Sequence, residues 1–316
     1  MSLPALSVGS QVPTSSFSAT VHSLFRGACN LEVAPSTMLT LLPSAKANLP
    51  HGIRLDHASF HTVCAQIRIG QAAACRSRIL RFNGSELAID LRVASPWHID
   101  LSSLCLDLRA YERLRAWTTA WSELKRRQED LELVPTMETC PAGLEDTSSS
   151  MTASLLGHQG DRAASALVDA TSSFSLDDAV RAMRRLIGLG VGLTPSGDDF
   201  LVGYLAGLWS TACGKSSRLA FLRSIGARMC EDARNTNVIS RVYLLAASKG
   251  HVSEPLAVLV QHLATSLNQA SVLGATKAAL SIGHTSGADG VLGLLLGCIP
   301  WNSKAERTRL QYEIAV

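Results

Sequence analysis

Charge imbalance is what this sequence has least of: 29 Lys and Arg stand against 26 Asp and Glu, a net +3 over 316 residues. That is too little for a nucleic-acid coat, and it leaves room only for a local basic pocket around a small anion. Long apolar runs are also missing. The longest, Val291 to Trp301, falls well short of the roughly 20 residues that span a bilayer, so no membrane segment is expected. The opening Met1-Ser-Leu-Pro-Ala-Leu-Ser has neither a basic stretch nor a continuous apolar one, and no secretory signal is read there. The eight cysteines form no Cys-x-x-Cys pair and have no His at ligand spacing. A disulfide framework and a zinc site are therefore not expected, and reduced, buried thiols in a cytoplasmic protein are. Gly188-x-Gly190-x-Gly192 lacks both the closing Gly-x-x-Gly and a preceding strand, which excludes a dinucleotide fingerprint. What remains, 47% apolar and 17% charged residues, describes a packed globular chain with one large or two modest domains.

The first third reads as strands. Phe17 to Val33 is rich in β-branched and apolar residues, and Met38–Leu42, Ile67–Ile69 and Ile79–Phe82 are short apolar runs. Asn83-Gly84 separates Ile79–Phe82 from the alternating Glu86–Val93, which predicts a tight hairpin. Ser95-Pro96-Trp97-His98 closes the strand region. From Leu104 to about Leu131 an apolar stripe through Leu108, Trp117, Trp121 and Leu124 predicts a helix. Two prolines and Ser148-Ser-Ser150 mark a linker. Beyond Met151, helices are expected near 151–170, 176–188, 197–212, 217–233, 236–249, 254–266, 269–281 and 287–298. The fold class is α+β with segregated halves: a β-rich domain over 1–132 ending in a helix, a linker over 133–150, and an all-helical domain over 151–316 with two Gly-rich loop–helix junctions.

Those junctions repeat one another. Ser196-Gly-Asp-Asp-x3-Gly203-x3-Gly207 matches Ser286-Gly-Ala-Asp-x3-Gly293-x3-Gly297. Each Ser-x-x-Asp fits a capping box, an ordinary structural role that Ser175-Leu-Asp-Asp178 shares. Two features point beyond a cap. Asp199, Gly203 and Gly207 share one helix face, as do Asp289, Gly293 and Gly297. A mid-helix glycine costs roughly 1 kcal/mol against alanine, so four of them imply close helix crossing. The preceding Gly188-x-Gly-x-Gly192-Leu-Thr-Pro supplies amides for a nest around a phosphate or carboxylate.

The expectation is two helices crossing on their glycine faces, with both loops and both acids brought together. Asp198 and Asp199 project about 100° apart, so only one can enter a shared pocket. The repeat selects Asp199, the counterpart of Asp289. An acid beside a small anion needs a cation or a proton between them. Arg241, with Asn237 and Ser240 one turn before it, is the candidate cation, and its alternative is a solvated helix charge. His284, beside Thr285 and Ser286, could donate to a developing oxyanion.

Gly190-Val-Gly-Leu-Thr-Pro-Ser-Gly-Asp-Asp-Phe-Leu-Val-Gly203, the run Val238-Ile-Ser-Arg-Val-Tyr-Leu-Leu-Ala-Ala-Ser-Lys-Gly250 and Ser281-Ile-Gly-His-Thr-Ser-Gly-Ala-Asp-Gly-Val-Leu-Gly293 resemble, in this order, the AllH family. That family takes its name from a subunit of bacterial oxamate carbamoyltransferase. The resemblance runs over roughly residues 180–300, and Val191 stands where the family commonly has Pro. It implies a transferase subunit working with FdrA-like and AllG-like partners. The joint reaction passes a carbamoyl group between carbamoyl phosphate and oxamate, in oxalurate breakdown within allantoin and purine catabolism.

On that reading the amides of Gly192 to Gly197 bind a phosphate or carboxylate, and Thr194, Ser196, Thr285 and Ser286 add hydroxyls. Arg241 or His284 steadies the carbonyl oxygen, and Asp199 completes the catalytic set. Asn237, Ser240 and Asp289 are further substrate-binding candidates. No organic cofactor is expected, and Mg2+ on the two acids is compatible with the pattern. A non-catalytic scaffold completing a partner's site is the alternative. Metal-assisted hydrolysis by Asp199 and Asp289 is a third reading.

Overall fold

A computed structural model describes residues 2–34, 37–132, 157–283, 285–303, 306–307 and 310. The expected linker and His284 lie outside the described residues.

The N-terminal half is a closed β-barrel. Its strands are β1 (Ser2–Gly9), β2 (Phe17–Phe25), β3 (Ala28–Ala34), β4 (Thr37–Pro43), β5 (Gly52–Leu55), β6 (Ala72–Arg76), β7 (Ile79–Phe82), β8 (Ala88–Asp90) and β9 (Ser95–Trp97). They run in the order β5-β4-β3-β2-β6-β7-β8-β1-β9, and a β1–β5 pairing closes eight of them into a ring. β1 is the closing strand. It pairs antiparallel with β5 on one edge (Ala5 opposite Leu55), and on the other it runs parallel to β8 and then β9. Full closure leaves no open sheet edge along those eight strands. Leu31, Leu39, Leu41, Ile53, Leu55, Leu80 and Phe82 fill the interior. Helix α1 (His57–Gln66) packs against β4, with Phe60 and Val63 buried and the Asp56 carboxylate accepting from the Ser59 amide at 2.9 Å.

Two local expectations are corrected. β7 and β8 do pair antiparallel, but five residues join them, so Asn83-Gly84 is not a two-residue hairpin turn. The tight turn is Ser77-Arg78 between β6 and β7, where both residues hold positive φ (50° and 62°) and Arg76 faces Ile79. That is the geometry a right-twisted hairpin needs, taken here without the usual Asn or Gly. Ile67–Ile69 is not a strand: Ile67 ends α1, its amide bonded to the Val63 carbonyl at 3.2 Å.

The remaining described helices are α2 (Tyr111–Glu132), α3 (Gly157–Ser172), α4 (Leu176–Leu186), α5 (Ser196–Thr211), α6 (Ser216–Asp232), α7 (Val238–Ala247), α8 (Glu254–Thr265), α9 (Gln269–Leu280) and α10 (Ser286–Gly297). The expected helix from Leu104 begins only at Tyr111. Leu101, Leu106 and Leu108 nevertheless join Trp117, Trp121 and Leu124 in the core of the helical half. A β-rich part followed by a helical part is the α+β arrangement expected.

At its centre α5 and α10 are buried on almost every side, as expected of helices apolar all round. Trp117 Nε1 donates to the Leu295 carbonyl at 3.0 Å, and the Tyr204 hydroxyl to Thr171 Oγ1 at 2.8 Å. The halves are joined through Asn48. Its backbone amide and Nδ2 both donate to the Glu254 carboxylate at the start of α8 (2.8 and 3.0 Å), and its Oδ1 accepts from Ser7 Oγ at 2.6 Å.

The thiol expectation is also corrected. Cys105 and Cys213, 108 residues apart with Cα atoms 4.6 Å apart, form a disulfide linking the segment before α2 to the turn after α5. Spacing along the chain carries no signal for such a distant pair. Cys29, Cys64, Cys75, Cys230 and Cys298 are free. Among the described residues no helix is long and apolar enough to cross a membrane.

Candidate functional site

α5 and α10 meet on their glycines. A Cβ on Gly203 would sit 1.9 Å from the Gly290 carbonyl oxygen, and one on Gly293 would sit 2.0 Å from the Phe200 carbonyl oxygen. One turn on, Gly207 faces Leu294 and Gly297, while Gly297 faces Tyr204. Shifting residue numbers by 90 exchanges these contacts, 203 with 293, 200 with 290 and 204 with 294. The pair is therefore related by an internal pseudo-two-fold axis.

The symmetry extends into the loops. The Gly197 amide bonds the Leu189 carbonyl (2.8 Å) as the Gly287 amide bonds the Ile282 carbonyl (2.9 Å), and Leu189 and Ile282 each close a turn at the end of α4 and α9. Positive φ at Gly188, Gly190, Gly192 and Gly283 lets both loops fold back over the helix starts.

The capping boxes do not form. Ser196 and Ser286 are the first residues of their helices rather than caps, and neither Pro195 nor Thr285 makes a side-chain cap bond. The hydroxyls turn across the crossing instead. Ser286 Oγ and Thr194 Oγ1 lie 2.8 Å apart. Together they face Asp199, while Ser196 faces Asp289. Each helix thus presents its first serine to the acid of the other.

The neighbouring acids have opposite fates. Asp198 is buried and filled: Oδ1 accepts from the Gly188 amide (2.8 Å), and Oδ2 accepts from the Ser240 hydroxyl (2.6 Å) and from Thr236 Oγ1. Asp199 Oδ2 and both oxygens of Asp289 are buried without a partner. Burial raises the Asp199 carboxyl to about 7, against a partial pull from Ser286 and Thr194, with the nearby Asp289 and Asp198 charges adding to the rise. Burial likewise raises Asp289 to about 7, offset in part by Ser196. Asp198 therefore holds the loop. Asp198→Ala is expected to cost about 2–3 kcal/mol by orphaning one amide and two hydroxyls, whereas Asp199→Ala should cost less than half of that. Urea unfolding of both variants measures the contrast, and equal losses would contradict this division.

A cavity of about 590 Å³ opens between the barrel and the helices; Thr194 reaches it, whereas Ser196, Asp199, Ser286 and Asp289 do not line it. Phe25, Asn30 and Lys46 line its barrel side; Thr194, Tyr243 and Ile282 line its helical side. Lys46 lies over Gly27, where a Cβ would come within 3.1 Å of its Cε. Tyr243, one turn after Ile239 on α7, has its phenol pushed up by burial and by the Asp199 charge. Its ring meets His51 edge-on at 4.8 Å, and burial pushes that imidazole down to about 4. Sequence reasoning missed Lys46, His51 and Tyr243. The i,i+4 pairing of Ile239 with Tyr243 was the only local signal for any of them.

The other candidates lie elsewhere. Asn237 caps α7, its Oδ1 accepting from the Ile239 and Ser240 amides (3.0 and 2.9 Å). Ser240 is taken by Asp198. Arg241 Nε donates to the Ala233 carbonyl at 3.1 Å, and the guanidinium does not line the cavity. Among the loop residues, the Gly197 amide is committed to Leu189, while Gly192 is open to solvent and Thr285 is exposed.

A barrel joined to a helical bundle, with two symmetric helix starts converging and Thr194 of their junction reaching the cavity between the halves, defines a two-part α+β protein. The sequence matches the family described as oxamate carbamoyltransferase subunit AllH over residues 186–298, and the AllH family N-terminal domain over residues 4–96. The chain belongs to the AllH family. No solved structure matches it.

Proposed function

We propose that this chain is an oxamate carbamoyltransferase subunit that binds small anions at the converged starts of α5 and α10. The single observation carrying this reading is the 2.8 Å contact between Thr194 and Ser286, which brings two helix N-termini together, with Thr194 reaching the cavity. Helix starts attract negative charge, and the glycine loops leave room for close backbone approach. Lys46 supplies a positive charge on the barrel wall, and Thr194, Ser196, Thr285 and Ser286 supply hydroxyl donors.

The amide nitrogen of oxamate attacks the carbamoyl carbon of carbamoyl phosphate. A C–N bond forms, the C–O bond to phosphate breaks, and the proton leaving nitrogen passes to Asp199. With its carboxyl raised to about 7, Asp199 exists in both forms near neutrality, as a group that must take and return a proton should. Positioning and charge stabilisation carry the rest of the rate. Val191 is 95% exposed at the tip of its loop. This favours completion of the site by further subunits, FdrA-like and AllG-like, on the open side of the cavity.

Calorimetric titration of the full chain with carbamoyl phosphate and with oxamate tests the reading. Saturable binding of at least one ligand, lost in Ser286→Ala, is expected. Asp199→Ala should lower turnover of the reconstituted complex by a factor on the order of 10²–10⁴ without disturbing assembly. If the chain binds neither anion and the variant complex turns over normally, the chain is a scaffold.

A further inference from the structure

Among the described residues, three carboxylate oxygens at the α5–α10 junction meet no hydrogen-bond donor: Asp199 Oδ2, Asp289 Oδ1 and Asp289 Oδ2. Asp289 has no exposed surface. Buried charges are ordinarily paired or bound to metal, because an unpaired ion loses its hydration for nothing in return. The groups facing these acids are the hydroxyls of Ser286 and Thr194 on Asp199, that of Ser196 on Asp289, and the phenol of Tyr243 on Asp199. Among the described residues no cationic side chain acts on either acid. Asp198 contributes no ligand atom, since both of its oxygens are already filled.

We propose that the Asp199 and Asp289 carboxylates, with the Ser196 and Ser286 hydroxyls, form the seat of a divalent, oxygen-preferring cation of the magnesium type. Every donor among the described residues there is a hard oxygen, which selects against zinc and copper. Two carboxylates match a divalent charge, whereas a monovalent ion leaves one negative charge beneath the anion site. Among the described residues no three His, Cys, Asp or Glu side chains converge. An all-protein calcium cage is therefore not built, but one or two carboxylates with retained waters and an anionic oxygen are how magnesium is commonly held. With a cation bound Asp199 is held ionised, and the value of about 7 belongs to the cation-free site. A cation there also removes the repulsion between the two acids and an incoming phosphate or carboxylate. Only that last step rests on the proposed function; binding by the chain alone does not.

The test uses manganese(II) as probe, followed by loss of the free-ion EPR signal on adding the full chain without substrate, at about pH 8 where the carboxylates are ionised. Saturable binding is expected, displaced by excess Mg2+. It should weaken about tenfold or more in Asp289→Asn and in Asp199→Asn, and stay unchanged in Asp177→Asn on the exposed first turn of α4. Native circular dichroism identifies whichever Asn variant is folded. Absence of saturable binding, or undiminished binding in a folded Asn variant, overturns the cation seat and leaves the acids holding protons. Anion binding that persists unchanged in EDTA overturns the bridging role while the proposed function stands. Manganese binding without anion binding supports the seat and removes the proposed function.

Discussion

Placing one methyl group on Gly203 is expected to destabilise the protein by about 3 kcal/mol or more. The new Cβ would lie 1.9 Å from the Gly290 carbonyl oxygen and 2.8 Å from the Leu294 amide. Both are backbone atoms of a helix buried on nearly every side, so no side-chain rotation relieves the overlap and α10 as a whole must move. Alanine's better helix propensity returns only about 1 kcal/mol. Gly293→Ala should behave alike, since its Cβ meets the Phe200 carbonyl at 2.0 Å. Gly274, midway along α9 with nothing within 4 Å of its missing Cβ, serves as the opposite case. There alanine should stabilise by about 0.5–1 kcal/mol. Denaturant unfolding of the three variants reads the difference directly. A Gly203→Ala protein as stable as the parent would mean that α5 and α10 do not cross on this face.

The glycine crossing was legible in the sequence because it rests on periodicity. Four-residue spacing puts Asp199, Gly203 and Gly207 on one face, and the duplicated motif says that two such faces exist. The helices from α4 to α10 were readable for the same reason. Their apolar spacing is long enough to outweigh local ambiguity, and each expected span agrees with its helix to within about two residues.

The barrel was harder. β1 closes the ring, yet its Leu3-x-Ala5 alternation is short and carries Pro4, and β6 is built on Ala72-Ala-Ala rather than on branched residues. The tight turn at Ser77-Arg78 carries neither Asn nor Gly, so its positive φ is imposed by the two strands it joins and not by its own chemistry.

At the site, geometry separated residues that the sequence placed together. That Asp198 and Asp199 must diverge follows from helix geometry alone. That Ser240 and Thr236 satisfy Asp198 depends on how α7 docks, which no local pattern encodes. Lys46 and Tyr243 line the cavity, with His51 packed on the Tyr243 ring, where the barrel is joined to α8 through Asn48 and Glu254.

The pseudo-two-fold pairing places both acids where burial raises their carboxyls to about 7, and this has a measurable consequence for stability. A carboxyl raised in the folded state, from 3.8 to about 7 at Asp289, binds a proton between those values that the unfolded chain has already lost. Its stabilising contribution is complete below about pH 4 and is lost as pH rises through about 7. One such group is worth at most about 4 kcal/mol across that window.

Asp289→Asn keeps the shape and removes the charge, so the variant should lack this decline. Measured in EDTA, so that no cation offsets the charge, its stability near pH 4 should match the parent's to within about 1 kcal/mol. Near pH 8 the variant should be the more stable protein by about 2–4 kcal/mol. Thermal unfolding followed at intervals from pH 4 to pH 9 gives both curves. If the two run parallel, or if the variant falls below the parent at alkaline pH, Asp289 is paired in the folded protein by a group that lowers its pKa. The acids would then already be neutralised from within, and neither a shared proton nor a bound cation would be needed at the crossing.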